Sequence, residues 1–342
     1  MEFLDFCSGI GGFRLGFERA GMKCIGFCEI DKFARQSYKA MYNTDGEWET
    51  HDITKITDEN FREYRGTDII CGGFPCQSFS IAGKRKGFSD DRGLIIWHLF
   101  RAVREILPRC FVFENVKGLL SHDGGATFRI IINAFTELGY GIEWQILNSK
   151  NYGVPQNRER VFIIGHFRDR SGGKVFPIEG ANGQNPCKLQ EITSGVADSY
   201  RIYNADGIAR TLKSEGGGLG AKTGLYAVNV PFTVQKEKGK GSSQNLKIKR
   251  IGDETASTVA ARYYKGLSAD GCNGVITEST GKCRIRRLTP RECWRLQGFP
   301  DEYFDRAKAS GLSDTQLYKQ AGNAVTVNVA ECIGKKIMQI YG

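Results

Sequence analysis

The sequence has no long apolar run and few of the residues that hold metal ions. No stretch of about 18 uncharged apolar residues occurs in the 342-residue chain, and its first letters, MEFLD, carry acids where a secretory signal would carry bases. Four histidines are present, and none of the eleven cysteines stands at the two-residue gap of a zinc knuckle. We therefore expect a cytoplasmic protein with reduced thiols and no metal ion.

Positive charge is plentiful and unevenly distributed. The chain has 48 Lys and Arg against 38 Asp and Glu, a net charge of +10, which suits a polyanionic partner. Residues 167–286 hold 19 of the basic residues, 11 of the acidic ones and 18 of the 43 glycines. This region has no long helical period, so it predicts a basic domain of strands and loops. A flexible insert is the alternative, which the frequent Val, Ile, Tyr and Phe disfavour.

Strand-like and helix-like patterns alternate through the first 170 residues. Short apolar runs at 2–6, 24–28, 68–71, 110–113 and 161–165 are separated by helical spacings of apolar residues. Such alternation predicts an α/β fold with a doubly wound, mostly parallel sheet.

The helical pattern returns from residue 288, and apolar residues on one face predict a final helix that docks on the first domain. We assign residues 1–170 and 318–342 to this first domain. Residues 171–317 are assigned to a smaller β- and loop-rich domain with a hinge.

A glycine loop follows the first strand. Residues 5–13 read DFCSGIGGF, and such a turn lets a ligand approach the backbone. A dinucleotide fingerprint would place glycine where the chain has Arg14, so a nucleoside cofactor without a pyrophosphate fits better. Glu29 ends the second strand, where an acid can bind both ribose hydroxyls; a solvated strand-end acid is the alternative.

Chemically active residues lie at or near the ends of three further strands. Residues 72–80 read GGFPCQSFS, which places Cys76 after the third strand as a candidate nucleophile, although such a cysteine is more often a buried hydrophobe. The next strand ends in Glu114, and Arg158 and Arg160 precede the last strand of the series. A thiol, a carboxyl and a guanidinium at one sheet edge can attack, protonate and clamp a planar heterocycle.

These segments together resemble the cytosine-5 DNA methyltransferases of bacterial restriction-modification systems. The resemblance covers nearly the whole chain, and six motifs follow the family's order: DFCSGIGGF at 5–13, GFPCQ at 73–77, ENV at 114–116, YGVPQNRER at 152–160, RLTPRE at 287–292 and GNAV at 322–325. It implies a fold of the S-adenosylmethionine-dependent methyltransferase type, with that compound as methyl donor, S-adenosylhomocysteine as product and double-stranded DNA as substrate. It also implies a monomer, with or without a cognate restriction endonuclease.

The resemblance gives the catalytic residues their roles. Cys76 adds to carbon 6 of a flipped-out cytosine, which loads electron density onto carbon 5. Glu114 holds ring nitrogen 3 and the exocyclic amine, and Arg160 holds the 2-carbonyl oxygen. Arg158 belongs to the same catalytic set.

The resemblance also implies the residues that bind the cofactor and the DNA. The expected cofactor site comprises Asp5, Phe6, Cys7, Gly9, Gly11, Gly12, Phe13, Glu29, Ile30, Asp52, Ile53, Gly73, Pro75, Asn323 and Ala324. The stretch after Cys76 looks like the family's mobile catalytic loop, with Gln77, Ser80, Lys84, Arg85 and Lys86 as DNA contacts. The basic region becomes the target-recognition domain.

A weak repeat inside that domain suggests where bases are read. Residues 206–228 and 253–275 share a few identities at an offset of 47 residues. We interpret them as two recognition loops, with two unrelated β-hairpins as the alternative. The candidate DNA contacts in these loops are Arg210, Lys213, Gly217, Arg262, Tyr263 and Lys265.

Two departures from the family's pattern concern the adenine pocket. Cys7 stands where the family usually has phenylalanine, and Ile30 stands where it often has a large aromatic residue. Adenine packing is then either looser or compensated by another ring such as Phe27.

Three rival functions use the same residues differently. An RNA cytosine methyltransferase would share the chemistry, but the long basic region favours duplex DNA. A catalytically silent relative would lack the nucleophile, the carboxylate or the glycine loop, and all three are present. A nicotinamide-dependent oxidoreductase conflicts with Arg14 and gives no role to Cys76 beside Glu114.

Overall fold

Seven strands form one sheet in the first half of the chain. The computed structural model describes residues 1–74, 95–167, 173–180, 201–204, 208–213, 225–228, 232–236, 246–250, 257–259 and 284–342. The strands are β1 (Glu2–Phe6), β2 (Lys23–Cys28), β3 (Trp48–Thr50), β4 (Ile69–Gly73), β5 (Cys110–Val116), β6 (Tyr140–Asn148) and β7 (Glu159–Phe167). Their order across the sheet is β3-β2-β1-β4-β5-β7-β6, which confirms the predicted doubly wound sheet.

Strand β7 is the antiparallel member of this mostly parallel sheet. It pairs antiparallel with both β5 and β6. The link from β6 to β7 contains one short 3-10 turn, Ser149–Tyr152, and a short link of this kind joins antiparallel neighbours, whereas parallel strands need a longer crossover. The reversal brings the 149–158 loop to the same sheet edge as the end of β5.

Nine α-helices are described, five between residues 12 and 137 and four between residues 290 and 341. They are α1 (Gly12–Arg19), α2 (Lys32–Met41), α3 (Asp58–Arg62), α4 (Ile95–Ile106), α5 (Ala126–Glu137), α6 (Pro290–Arg295), α7 (Asp301–Ala309), α8 (Asp314–Asn323) and α9 (Val327–Tyr341). Asp31 caps α2, and complete capping boxes begin α3, α6 and α8.

Side chains of the central strands alternate between two apolar layers, as the two-residue period of a strand requires. Leu4, Ile70 and Phe111 pack with α4 and α5 on one face. Phe3 and Ile69 pack with α1 and α9 on the other face. The sheet is therefore covered by helices on both sides.

The predicted docking of the C-terminal helix is confirmed. Ala330 and Ile333 of α9 are fully buried and share a core cluster with Phe17 of α1. The two helices are so close that a Cβ atom added at Gly16 would lie 2.6 Å from the Cβ of Ala330. The end of the chain is thereby fixed next to the glycine loop, which begins α1.

Residues before α9 share a core with the first domain. Trp294 of α6, Phe304 of α7 and Leu317 of α8 belong to one buried cluster with Phe27 and Tyr38. The backbone of residues 175–178 is also hydrogen-bonded to the side chains of Glu143 and Gln145 on β6. The domain boundaries at residues 170 and 318 remain predictions.

The described residues between 173 and 287 contain strands and no helix. Strands β8 (Ile202–Asn204), β9 (Leu225–Val228) and β13 (Arg284–Arg287) form one small sheet. A second consists of β10 (Phe232–Lys236), β11 (Leu246–Arg250) and β12 (Ser257–Val259). The strand content agrees with the predicted β- and loop-rich domain. Among all described residues, no helix is long and apolar enough to span a membrane.

A buried acid lies under the glycine loop. Asp5 is 1% exposed, and its carboxyl accepts hydrogen bonds from the Tyr38 hydroxyl at 3.4 Å and the Cys71 thiol at 3.6 Å. Burial raises the pKa of Asp5 from 3.8 to about 7, and the nearby positive charge of Arg14 offsets only part of that rise. Asp5 thus links β1, α2 and the strand that leads to Cys76.

Asp5→Asn is expected to stabilise the fold more at pH 8 than at pH 5. Because the pKa of Asp5 is higher in the folded state, the carboxyl favours folding most at low pH and loses that contribution as pH rises to about 7. Asparagine mimics the protonated acid, so its free energy of unfolding relative to wild type should rise by about 2–3 kcal/mol between these pH values. Urea denaturation at the two pH values measures this change in the free energy of unfolding. The exposed Asp45→Asn variant is the control. If the control-corrected difference between Asp5→Asn and wild type does not change with pH, this account is contradicted.

Candidate active site

The glycine loop is clamped to the end of β2 by Glu29. One carboxylate oxygen of Glu29 accepts the Gly9 N–H at 2.8 Å, and the other accepts the Asp31 N–H at 2.8 Å. Glu29 is only 9% exposed, and this burial raises the pKa of Glu29 while the two backbone bonds oppose the rise. Glu29, which is predicted to bind the ribose, is therefore held rigidly against the loop.

The C-terminal motif closes against the same loop. A Cβ atom added at Gly12 would lie 2.2 Å from the carbonyl oxygen of Val325, so a larger residue there would force the two segments apart. Asn323 ends α8 with an exposed side chain, and Ala324 follows with its side chain buried. The structure brings these predicted cofactor residues together although they are more than 300 positions apart in the chain.

Ile30 and Asp52 are two of the residues predicted to lie near the adenine. Ile30 is 69% exposed directly after Glu29. Asp52 caps a short turn by accepting the Thr54 N–H at 3.0 Å, and hydrogen bonds from the side chain and the N–H of Thr54 lower the pKa of Asp52. Phe27 is buried and stacks on Tyr38 with ring centroids 4.2 Å apart, so it is committed to the core and is not the compensating ring.

Several predicted cofactor residues support the loop from below. The side chains of Asp5, Phe6, Phe13 and Ile53 are all buried in the core under the loop. Their side chains therefore do not face a ligand. Cys7 is half-buried in a left-handed conformation with φ 52°, and burial with neighbouring acids raises the pKa of Cys7 well above its ordinary value, which keeps it a thiol.

Glu114 lies beside the backbone that leads to Cys76. Gly73 pairs with Glu114 in the sheet, and a Cβ atom added at Gly73 would lie 3.3 Å from Oε2 of Glu114. The Phe74 N–H donates to the Glu114 carbonyl at 3.3 Å, and the Asn115 side chain donates to the Phe74 carbonyl at 2.8 Å. The last described residue before the candidate nucleophile is thus fixed to the end of β5.

Glu114 and Arg160 form an ion pair at this edge. Oε1 of Glu114 lies 3.0 Å from Nε of Arg160, with side chains only 11% and 16% exposed. The antiparallel pairing of β5 with β7 places Arg160 opposite Val116, which brings the guanidinium back toward Glu114. The predicted carboxyl and guanidinium do meet at one sheet edge.

Arg158 occupies a different environment from Arg160. It is 2% exposed and donates to the carbonyls of Leu212, Gly322 and Ala324 at 3.3, 3.1 and 2.9 Å. Sequence reasoning placed both arginines in one catalytic set. The structure makes Arg158 a buried contact between segments, a role that only the tertiary arrangement reveals.

Two of the predicted DNA contacts are described. Arg210 is 8% exposed, with its N–H bound to the Tyr226 hydroxyl at 3.2 Å, and Lys213 has an exposed side chain. Pro75 and Cys76 lie outside the described residues. So do the other nine predicted DNA contacts: Gln77, Ser80, Lys84, Arg85, Lys86, Gly217, Arg262, Tyr263 and Lys265.

Sequence reasoning missed three residues that hold the site together. The Tyr42 hydroxyl donates to the Gly11 carbonyl at 2.9 Å, Asn115 binds the Phe74 carbonyl, and the side-chain amide of Gln156 donates to the Leu296 carbonyl at 2.8 Å. Asn115 and Gln156 lie inside recognised motifs, which was a usable signal. Tyr42 carries no such signal.

Fold and site combine a glycine loop held by Glu29 with a carboxylate–guanidinium pair at the edge of a doubly wound sheet. The family model for the C-5 cytosine-specific DNA methylases matches residues 1–339. The orphan methyltransferase M.SPRI of Bacillus phage SPR is 31% identical, covering 100% of this chain and 98% of the relative. The type II methyltransferase M.SsoII of Shigella sonnei is 37% identical, covering 98% of this chain and 80% of the relative.

The fold has solved counterparts. The crystal structure of the S. pombe Dnmt2 methyltransferase matches with a TM-score of 0.65 at 17% identity, covering 100% of both chains. That similarity concerns the fold alone.

The chain belongs to the C-5 cytosine-specific DNA methylase family. It is a DNA (cytosine-5)-methyltransferase that uses S-adenosylmethionine as methyl donor and DNA as substrate. The oxidoreductase alternative is therefore wrong.

Proposed function

We propose that the chain methylates a flipped-out cytosine within a short duplex sequence through a covalent adduct of Cys76. The observation that carries this assignment is the buried ion pair of Glu114 and Arg160 beside the backbone that leads to Cys76. A cytosine ring needs such groups on its Watson–Crick edge if charge is to develop in it away from water. The base must leave the duplex to reach them.

The residues at the glycine loop fit S-adenosylmethionine. Each carboxylate oxygen of Glu29 accepts one backbone N–H, which leaves lone pairs for the two ribose hydroxyls. A Cβ atom added at Gly9 would have no atom within 4 Å, so the loop is open to a ligand there. Ile30 offers an apolar surface to adenine, and Asp52 an acceptor for its amine. The bound cofactor supplies the methyl group.

Three residues divide the tasks of the proposed reaction. The Cys76 thiolate forms a bond to carbon 6 of cytosine, and the ring electrons move toward carbon 5. Glu114 holds the proton at ring nitrogen 3 and binds the exocyclic amine. Arg160 donates to the 2-carbonyl oxygen. After methylation a base removes the carbon 5 proton. The bond between carbon 6 and the Cys76 sulfur then breaks as the double bond between carbons 5 and 6 returns.

DNA binding is assigned to the basic region after residue 170. Residues 167–286 carry eight more basic than acidic residues, enough to neutralise several phosphates. Lys213 is exposed and suits a phosphate contact, whereas the burial of Arg210 favours a supporting role. Arg262, Tyr263 and Lys265 remain the proposed base-reading residues. The catalytic loop after Cys76 would hold the flipped strand.

DNA affinity is expected to fall steeply with salt. Each neutralised phosphate lowers the slope of log affinity against log salt concentration by about 0.9 for duplex DNA. Five such contacts would give a slope of about −4 to −5, measurable by fluorescence anisotropy across a potassium chloride series. Cofactor binding in the same series serves as the reference. A flat response for DNA would exclude the basic region as its docking surface.

The remaining assignments concern oligomeric state, location and partners, and they rest on the family resemblance. We propose a monomer that acts in the cytoplasm, where its DNA substrate lies, and that releases S-adenosylhomocysteine without using a metal ion. A cognate restriction endonuclease would act on the same sequence and would need no contact with this chain.

Methyl transfer from radiolabelled S-adenosylmethionine tests the proposed substrate. Label should enter duplex DNA and not RNA of matched sequence. Bisulfite sequencing of the product should then show a methylated cytosine in one short sequence context. Transfer to RNA alone would select the RNA alternative, and the absence of transfer to either would select a silent relative.

A further inference from the structure

Arg158 joins two segments that the proposed function places on opposite sides of the reaction. Its Nη1 atom donates to the carbonyl of Leu212, and its Nη2 atom donates to those of Gly322 and Ala324. The first partner belongs to the 208–213 segment, which lies in the region assigned to DNA binding. The other two belong to the segment that closes against the cofactor loop.

The contact is buried, so neither segment can move without cost. Arg158 is 2% exposed, and its Nε atom has no hydrogen-bond partner in the part of the chain that the structure describes. A guanidinium in this environment has no water to replace a lost carbonyl. Burial and the nearby charge of Arg160 lower the pKa of Arg158 to about 9, which keeps the cation at neutral pH.

A second buried side chain strengthens the connection. Gln156 is fully buried; its Oε1 atom accepts the Leu212 N–H at 3.2 Å, and its Nε2 atom donates to the Leu296 carbonyl at 2.8 Å. The 208–213 segment is also hydrogen-bonded to the 155–157 backbone, because Ala209 donates to the Pro155 carbonyl and accepts from Asn157. The segment therefore follows any movement of the loop that carries Arg158.

Arg158 is also connected closely to the glycine loop on the cofactor side. The Ala324 carbonyl that accepts from Arg158 precedes Val325, whose carbonyl oxygen lies 2.2 Å from a Cβ position at Gly12. A ligand that fixes the glycine loop therefore restricts the 322–325 segment. A ligand that fixes the 208–213 segment restricts the same guanidinium from the other side.

We propose that Arg158 is a positioning residue that couples cofactor binding to DNA binding, so that each ligand tightens the other. The guanidinium keeps its carbonyl partners only when both segments are in place, and a ligand that orders one segment lowers the cost of ordering the other. The proposal rests on the assignment of the 208–213 segment to the DNA side. It assigns Arg158 no contact with the reacting ring.

The test is the affinity for S-adenosylhomocysteine with and without duplex DNA, measured by calorimetry. The DNA carries the sequence identified by bisulfite mapping, and the ratio of the two affinities is the coupling factor. Wild type should give a factor of about 5 or more. Arg158→Met should bring the factor to within about twofold of one, and Arg158→Lys, which keeps the charge but loses the fork, should give an intermediate value.

Arg306→Met is the matched control. Arg306 also donates to a backbone carbonyl, that of Met41 at 3.0 Å, but between α7 and α2. The Arg306→Met variant should retain the wild-type coupling factor. A folded Arg158→Met variant with wild-type coupling would overturn the proposal, as would a wild type without coupling. If the methionine variant does not fold, unchanged coupling in Arg158→Lys would overturn the proposal equally. Failure of the proposed function is distinct, since wild type would then neither bind nor methylate the duplex.

Discussion

Cys76→Ser should lower the single-turnover rate of DNA methylation by at least about a thousandfold. The serine hydroxyl does not ionise near neutral pH, so it cannot replace the thiolate that attacks carbon 6. DNA and cofactor affinities should change little, because the substitution exchanges one atom. Cys332→Ser, at a half-buried cysteine of α9, controls for the general effect of losing a thiol.

The opposite outcome has a clear interpretation. If the serine variant methylates DNA at a rate close to wild type, then Cys76 is a structural thiol and the attacking group must be sought elsewhere. The control variant should keep wild-type activity, since α9 lies against α1 and not at the edge that carries Glu114.

Glu114→Gln should slow methyl transfer by about 10²–10³-fold and change DNA affinity by much less. The carboxyl acts on charge that develops in the ring during attack, so its loss should appear in the rate of the chemical step more than in ground-state binding. Glutamine keeps the shape beside Gly73 but cannot pair with Arg160 as a charged partner. Single-turnover kinetics together with DNA titrations separate the two effects.

Glu159→Gln provides the matched control for this experiment. Glu159 is an exposed acid at the start of β7, paired with Lys117 at 3.1 Å. It should retain nearly full activity, because a surface ion pair of this kind contributes about 0–1 kcal/mol. Equal losses of rate and DNA affinity in Glu114→Gln would instead mark Glu114 as a structural residue at the end of its strand.

The sheet was predictable from the sequence because its apolar runs and helical spacings are regular. The five predicted apolar runs overlap strands β1, β2, β4, β5 and β7. Strand β3 escaped prediction because it has only three residues, Trp48–Thr50, too few to show a period. The antiparallel direction of β7 also escaped, since apolar patterning does not encode strand direction.

The site was predictable only in part. Glu114 and Arg160 were expected at one sheet edge, and their contact at 3.0 Å agrees with that expectation. The different roles of Arg158 and Arg160 could not be read from their two-residue spacing, because they depend on carbonyls that lie 54 to 166 positions away. Buried supports such as Phe13 look the same in sequence as residues that face a ligand.

Trapping on DNA that carries 5-fluorocytosine tests the covalent mechanism most directly. Fluorine at carbon 5 cannot leave as a proton does, so methylation should stop at the adduct and leave Cys76 bonded to the base. Wild type, cofactor and this duplex should give a complex that survives denaturing electrophoresis, with the modified peptide containing Cys76 by mass spectrometry. Cys76→Ser should give none. Methylation of normal duplex DNA by a wild type that forms no such complex, or an adduct on another residue, would contradict the account.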